Sequence, residues 1–496
     1  KDQSVSPEPV YVAFFWHQHQ PNYLQRSEGR MLMPWVRLHG IKDYYDMPAK
    51  LKDYPDIHQT INLVPSLLQQ IQAYEEGQAT DDYWKLTEKS PGELNDGEKR
   101  RILERFFDAN QHWMVEPYPR YEQLLRLRSG ASIEEAMRMY GDQDFLDLQV
   151  WFNLTWFDPI FKEGDELLKK LIAKGKGYTE EDKAKVLEKQ REVLSRVIPV
   201  HKEMAGSGQI ELTTTPFYHP ILPLICNTEI ARECMPDDPR PQQFSHPEDA
   251  EEQVRRGLDY FESIFGFQPE GMWPSEGSVS DEALEIIRGC GVQWVATDEE
   301  ILAKSIGKNI ERNSAGDVTN PTVLYRPYTL KTSKGDLSIV FRDHYLSDLI
   351  GFRYCRSPAE EAAEDFVNRI MRVRKRAPDN FPALVSVILD GEICWEFYKR
   401  DGHDFLDALY SRLSETKEIR CVTIGEYLKE HPPGESLKKI FPGSWINHNY
   451  RIWIGHEEDN TAWDLLNEAR QDLVKSQQSG QLSDEAAAEA WEEIYI

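Results

Sequence analysis

Val10 to Trp16 is a short, almost unbroken apolar run that stops at once in the polar, proline-ended segment His17-Gln18-His19-Gln20-Pro21. A run of that length with that ending reads as a buried strand delivering side chains to its carboxyl end. From about Pro65 to Met204 the apolar spacing changes to threes and fours. Val186, Gln190, Val193 and Val197 share one stripe, with Leu187, Leu194 and Ile198 beside it, among many charges. This predicts a mainly helical insertion. Strand-like segments then recur at Gln209 to Thr215, Glu270 to Trp273, Gln293 to Thr297, Thr322 to Arg326, Leu337 to Arg342, Leu384 to Leu389 and Cys421 to Ile424. Helical stretches such as Pro247 to Ile264, Ser280 to Gly289 and Ala359 to Arg376 separate several of them. That alternation belongs to a parallel sheet with crossover helices. The expected class is α/β, a barrel or open sheet. Residues 1–64 and 205–430 supply the sheet, 65–204 the insertion, and 431–496 a helical C-terminal region that completes the cleft.

Composition narrows the partners more than the fold. The 496 residues, 40% hydrophobic and 29% charged, suit a folded globular enzyme. The formal charge of -27 makes unaided binding to nucleic acid or an anionic membrane unfavourable. No apolar run reaches 18 residues and Lys1 to Pro9 is polar, so neither a membrane span nor a signal peptide is expected. Cys226, Cys234, Cys290, Cys355, Cys394 and Cys421 form no C-x-x-C pair. They read as free thiols, which leans towards a reducing, cytoplasmic setting. Nothing in the sequence sets the oligomeric state.

Polar clusters follow the predicted strands: His17 and His19, then His219, then Trp273 to Ser280, Asp343 to Asp348, and Asp390 to Glu396. In parallel barrels that end carries the active site. Glu276 sits in Trp-Pro-Ser-Glu-Gly-Ser-Val-Ser beside an aromatic residue and a glycine that would let substrate approach; its plain alternative is a place near the cap of the helix opened by Ser280. Asp390 ends the apolar run 384–389, where desolvation would raise its pKa and suit a proton donor; the plain alternative is an Asp-Gly turn. Two carboxyl groups at one mouth suffice to hydrolyse an acetal between sugars without a metal. Trp273 and Trp395, beside those carboxyls, read as sugar platforms. His17 and His19 share one strand face. With His219 and Asp343 or His344 they form an alternative zinc set, although the local sequence lacks a spaced third ligand.

Five separated motifs carry a family resemblance: His-Gln-His-Gln-Pro at 17–21, Gly-Gln-Ile-Glu-Leu at 208–212, Trp-Pro-Ser-Glu-Gly-Ser-Val-Ser at 273–280, Leu-Asp-Gly-Glu at 389–392 and Trp-Ile-Gly-His at 453–456. In this order the chain resembles glycoside hydrolase family 57 from His17 to Ala469. The resemblance implies a distorted parallel (β/α)7 barrel with a helical C-terminal region, Glu276 as nucleophile and Asp390 as general acid/base. It places His17, His19, Glu211, Trp273 and Trp453 along the sugar subsites; His219, Asp343, His344 and Trp395 are added as further substrate contacts from their positions at the same mouth. No metal or other cofactor is required, and the implied partner is an α-glucan polysaccharide or oligosaccharide. The wording of 213–224 and 341–348 is most similar to the amylopullulanase-type branch, which implies hydrolysis of α-1,6 and/or α-1,4 bonds. A 4-α-glucanotransferase, a catalytically silent glucan-binding protein and a zinc-dependent deacetylase on a related barrel are the competing readings. One position departs from the family pattern. Ile393 stands where the fourth motif commonly has Asn, so either a subsite contact or local support of Asp390 is lost.

Overall fold

The computed structural model describes residues 8–496; residues 1–7, on which much of the signal-peptide expectation rested, lie outside them. Seven parallel strands close on one another: β1 (Val10–Gln18), β2 (Gln59–Leu63), β3 (Ile210–Thr213), β4 (Gly271–Met272), β5 (Trp294–Asp298), β6 (Gly335–Arg342) and β7 (Leu384–Asp390). β7 pairs with β1 over seven residues and completes the ring. The seam between β3 and β4 is thin, a single Thr214–Met272 bridge with the Trp273 amide donating to the Thr214 carbonyl at 3.0 Å. The result is a distorted (β/α)7 barrel.

The strands read as continuous apolar runs because both faces are covered. Every residue of β1 is buried. Tyr11, Ala13 and Phe15 face the barrel interior, where they join Trp294, Ala296, Val340, Leu384 and Ile388. Val10, Val12, Phe14 and Trp16 belong instead to the larger core under the surrounding helices. Crossover helices Pro247–Phe265, Asp281–Gly289 and Ala359–Arg376 cover the outside. Ser280 caps the second of these by accepting from the Ala283 amide.

Two strand expectations change. Thr322 to Arg326 is no strand: Asn320-Pro321 starts a short helix, Pro321–Leu324, because proline at the first helical position is pre-set for the turn. The missing barrel strand is β2. Its inward positions, Thr60 and Asn62, are polar, so it carries no apolar signal. Cys421 to Ile424 is shifted to the short strand Ile419–Cys421, which pairs with β1 outside the ring.

The segment 65–206 is helical. Asp142–Thr155 forms its centre, with Phe145 to Thr155 all buried. The predicted 186–198 stripe is divided between Glu180–Leu194 and Val197–Gly206. Helices Glu457–Gln478 and Asp484–Tyr495 finish the chain. Among the described residues no helix is long and apolar enough to cross a membrane, and all six cysteines are free, three of them buried.

Candidate active site

The two-residue period that sends Phe15, Ala296, Val340 and Ile388 into the barrel core places His17, Asp298, Arg342 and Asp390 in the next inward layer. The interior therefore turns from apolar to charged at the carboxyl ends of the strands. The registers bring these residues together: His17 lies opposite Asp390 on one side and Asn62 on the other, and Asp298 opposite Arg342. A cavity of about 410 Å³ opens above them, lined by Glu276, Arg342, His344, Asp390, Ile393 and Trp445 among others.

Glu276 enters this cavity from a single helical turn, Ser275–Gly277, that follows β4. Its φ is 58°, a left-handed conformation that disfavours any side chain. Six non-glycine residues have positive φ among the described residues, and four of them (His219, Glu276, Asn447 and His448) belong to this mouth. Such strain persists only where the surroundings enforce it. Trp445 does so for Glu276: its amide donates to the Glu276 carbonyl at 2.9 Å and its indole N–H donates to Oε2 at 2.8 Å. Burial pushes the Glu276 carboxyl up, against the Trp445 bond. Asp390 is pushed up to about 7 by burial and by the neighbouring Glu276 charge, with Arg342 opposing. The two carboxyl groups thus share one cavity and, among the described residues, neither has a salt bridge to Lys or Arg.

Behind Glu276 stand three histidines. His17 Nδ1 bonds Asn62 Oδ1 at 2.8 Å, and Asn62 is fixed in turn by donating to Thr213 Oγ1 and accepting from Thr215 Oγ1. This orientation makes His17 Nδ1 the donor, so its Nε2 accepts from His219 Nε2 at 3.2 Å. His219 Nε2 lies 3.5 Å from Glu276 Oε1. Burial lowers all three rings, His17 to about 4 and His19 to about 3, so they are neutral near pH 7. Their nitrogens lie within 4.8 Å of one another, which meets the distance requirement of the zinc reading. The rings, however, are nearly parallel, and His19 stacks on His219 with centroids 3.8 Å apart. Lone pairs in stacked planes do not converge on one ion as tetrahedral zinc requires. Asp343 and His344, the proposed additional ligands, bond elsewhere.

The opposite wall is an ion cluster. Arg342 donates to Asp298 Oδ2, Asp348 Oδ1 and the Ile388 carbonyl, and its guanidinium lies 5.2 Å from the Trp445 ring centre. His344 bridges Asp298 and Glu299, and His448 Nε2 is 3.2 Å from Asp298. Burial would lower His344, but the Asp298 bond and the Glu299 charge outweigh it and hold the ring up to about 9. Asp298 is held well below the usual carboxylate range by His344 and His448, against its burial. Asp298, Arg342, Trp445 and His448 are absent from the site residues expected from sequence. The first two were legible from the inward parity of β5 and β6; Trp445 and His448 lie on an irregular loop with no such signal.

Several predicted contacts sit away from the cavity. Glu211 points inward below the mouth, where Trp294 Nε1, the Gly425 amide and Thr60 Oγ1 all donate to it. Asp343 is fully buried and saturated by Arg312, Tyr325 and the Leu346 amide. Trp273 is sealed against Phe15, His17 and Trp445, and supports the site from beneath instead of offering an open face. Trp395 packs on Trp16 and Tyr398 and donates to the Gly391 carbonyl. Trp453 lines a separate cleft with Trp463 and Tyr495. Gly277 does not open the way for substrate: its φ is 61° and an added Cβ would lie 3.1 Å from the Trp273 ring. Ile393 is 51% exposed on the cavity rim, so its departure alters a cavity contact and leaves the anchoring of the loop untouched. That anchoring comes from buried Glu392, which accepts from the His19 amide and Tyr44 Oη, each at 3.2 Å.

The sequence profile of glycosyl hydrolase family 57 matches residues 13–438. No curated protein sequence matches. Among solved structures, a GH57-type branching enzyme from the archaeon Pyrococcus horikoshii is 15% identical with a TM-score of 0.58, over 94% of this chain and 79% of that one. A GH57 branching enzyme from Thermococcus kodakaraensis, solved with glucose, is 14% identical with a TM-score of 0.57 over the same shares. The α-amylase AmyC from Thermotoga maritima is 14% identical with a TM-score of 0.54, over 97% of this chain and 83% of that one. At such identities the likeness concerns the fold, and the family rests on the profile match: the chain belongs to glycosyl hydrolase family 57.

Proposed function

We propose that the protein is a retaining α-glucan-acting enzyme in which Glu276 attacks the anomeric carbon while Asp390 protonates the glycosidic oxygen. Asp390 then deprotonates the incoming water or sugar hydroxyl, which gives net retention. One observation carries the reading. Two carboxyl groups with no Lys or Arg bridge among the described residues line one cavity, and their environments set them apart: Asp390 is held protonated up to about pH 7 while Glu276 keeps a hydrogen bond to its charged form from Trp445. His17, His19 and His219, neutral and mutually oriented, would hold sugar hydroxyls as the oxocarbenium-like state develops. The substrate class follows from family membership together with the glucan-acting enzymes that share the fold.

The sequence wording favours an amylopullulanase-type hydrolase of α-1,6 and/or α-1,4 bonds. A glucanotransferase is the second reading, favoured by the apolar rim of Phe352, Leu389, Ile393 and Ile446, which suits the face of an acceptor sugar better than it suits water. Incubation with pullulan and separately with maltoheptaose, without added metal, tests both. Maltotriose from pullulan is the expected product. Longer and shorter oligomers from maltoheptaose with pullulan untouched would establish the transferase, and no product from either would sink the α-glucan reading. Glu276→Gln should lower turnover by orders of magnitude with little loss of binding; near-normal turnover would remove Glu276 from the role.

A further inference from the structure

His219 shares the left-handed strain of the mouth, with φ at 60°, and its brace comes from the far end of the chain. It lies in the connection after β3, between Tyr218 and Pro220. A residue with a side chain keeps that conformation only where its neighbours over-determine it. The Phe217 amide donates to the Gln253 carbonyl and the Tyr218 amide to Gln253 Oε1, both at 3.0 Å. Gln253 is buried on the crossover helix Pro247–Phe265, and its Nε2 donates to the Tyr495 carbonyl at 2.8 Å. One amide side chain thus links the backbone before His219 to the last helix, Asp484–Tyr495.

The side chain of Tyr218 reaches the same helix directly. Its Oη accepts from Arg26 Nη2 at 2.6 Å and donates to Glu492 Oε1. Glu492 also accepts from Arg26 at 2.8 Å and from Arg256 at 2.8 and 2.9 Å. The Arg256 guanidinium in turn lies 4.9 Å from the ring centre of Phe217 and 5.5 Å from that of Tyr495. Exposed ion pairs hold little. The Glu492 side chain, however, is only 14% exposed and is shared by two arginines and a phenol. In such a charge-assisted network the members orient one another.

His219 is where that hold meets the chemistry. Its Nε2 lies 3.2 Å from His17 Nε2 and 3.5 Å from Glu276 Oε1, and its ring stacks on His19 with centres 3.8 Å apart. We infer that Glu492 is a positioning residue for the proposed reaction: through Tyr218 it fixes the backbone at His219 and keeps the His219 ring beside Glu276. The inference rests on the reading of Glu276 as nucleophile. Glu492 lies outside residues 13–438, which the family profile matches.

The test uses the full chain with ring-labelled histidine, its nuclear magnetic resonances recorded from pH 8 to pH 5. The His219 signals are identified by their loss in His219→Ala. In the parent His219 should stay neutral throughout, because burial and the adjoining His19 and His17 hold it well below 6.5. In Glu492→Ala the released ring should titrate near that ordinary value of 6.5. Turnover of maltoheptaose should fall about 10- to 100-fold with KM within about threefold, the cost of displacing a group by about 1 Å. Added to His219→Ala, the same change should cost less than about twofold, since the group it positions is already gone. An untitrated His219 with near-parental turnover overturns the inference. So does an equal loss of turnover with and without His219, which would make Glu492 a contributor to stability alone. If Glu492→Ala detaches the last helix, Tyr218→Phe, which leaves the pairing of Glu492 with Arg256 intact, decides by the same two readouts. If the parent turns over neither maltoheptaose nor pullulan, the reading of Glu276 fails, while the ring titration still decides whether Glu492 holds His219.

Discussion

Two regions bury ionisable groups, and they treat them in opposite ways. In the helical layer Arg37 and Asp81 are both fully buried and paired through two bonds, Nε to Oδ2 at 2.7 Å and Nη2 to Oδ1 at 3.0 Å. The remaining capacity is filled: Arg37 Nη1 donates to Asn153 and Gln190, while Tyr74 Oη and the Trp84 amide donate to Asp81. At the mouth, Glu276 receives one indole bond and the Asp390 side chain has no hydrogen-bond partner among the described residues, although both are held against low-dielectric surroundings. A satisfied pair fixes structure. A pair left short of partners keeps its protons negotiable, which is what acid/base chemistry needs.

Removing one member from each region should separate the two roles. Asp390→Asn keeps the shape and removes the proton donor, so turnover should fall about 10²–10⁴-fold, the usual worth of general acid catalysis. The same change should stabilise the fold at alkaline pH. Asp390 titrates at about 7 when folded and near 3.8 when free. Its raised pKa therefore costs stability as pH climbs through that window, and the Asn variant escapes the loss. Thermal unfolding at pH 4 and pH 8 checks this: the variant should gain on the parent only at pH 8. Equal melting at both would mean that Asp390 is not desolvated. Arg37→Met should do the reverse, costing about 3–5 kcal/mol by stranding the Asp81 charge. Turnover per folded molecule should survive, as measured by denaturant unfolding beside activity.

The contrast also explains what the sequence revealed. The strand ends carried the site because β1 and β7 announce themselves as apolar runs, and the residue after each run is then conspicuous. His17 and Asp390 were legible for that reason, as was Glu276 from its motif. β2 was invisible since Thr60 and Asn62 are polar positions buried through hydrogen bonds, one of them to His17. Glu211 and Asp343 looked like site residues by type and position. Their side chains are spent on neighbouring donors, a property of tertiary contacts that spacing does not encode. Tryptophans misled most: Trp273, Trp395 and Trp453 had motif neighbours, but Trp445, eight residues before the fifth motif, bonds the carboxyl of Glu276.

Trp445 offers a finer test of the unfilled pair. Trp445→Phe removes one bond to a group that carries charge, worth about 1.5–3 kcal/mol, so kcat/KM should fall about 10- to 100-fold. Because that bond lowers the Glu276 pKa, the acid limb of the pH profile should also move upward. A drop in activity with no movement of that limb would assign Trp445 to substrate contact alone.

The smallest effect belongs to Arg342. It reaches Asp390 only through its field, since its own hydrogen bonds go to Asp298, Asp348 and Ile388. The alkaline limb of kcat/KM should lie near pH 7, where Asp390 loses its proton and can no longer protonate the leaving oxygen. Arg342 lowers that value, so Arg342→Gln should move the limb upward by less than about one unit, 1.36 kcal/mol of differential interaction. The direction discriminates between two sources of control. A limb that moves down would mean that Arg342 had been shielding Asp390 from water, whereas an upward move shows that its charge reaches the acid from the neighbouring strand without a direct bond. The lack of a direct bond leaves Asp390 free to protonate while the arginine still limits how far its pKa rises.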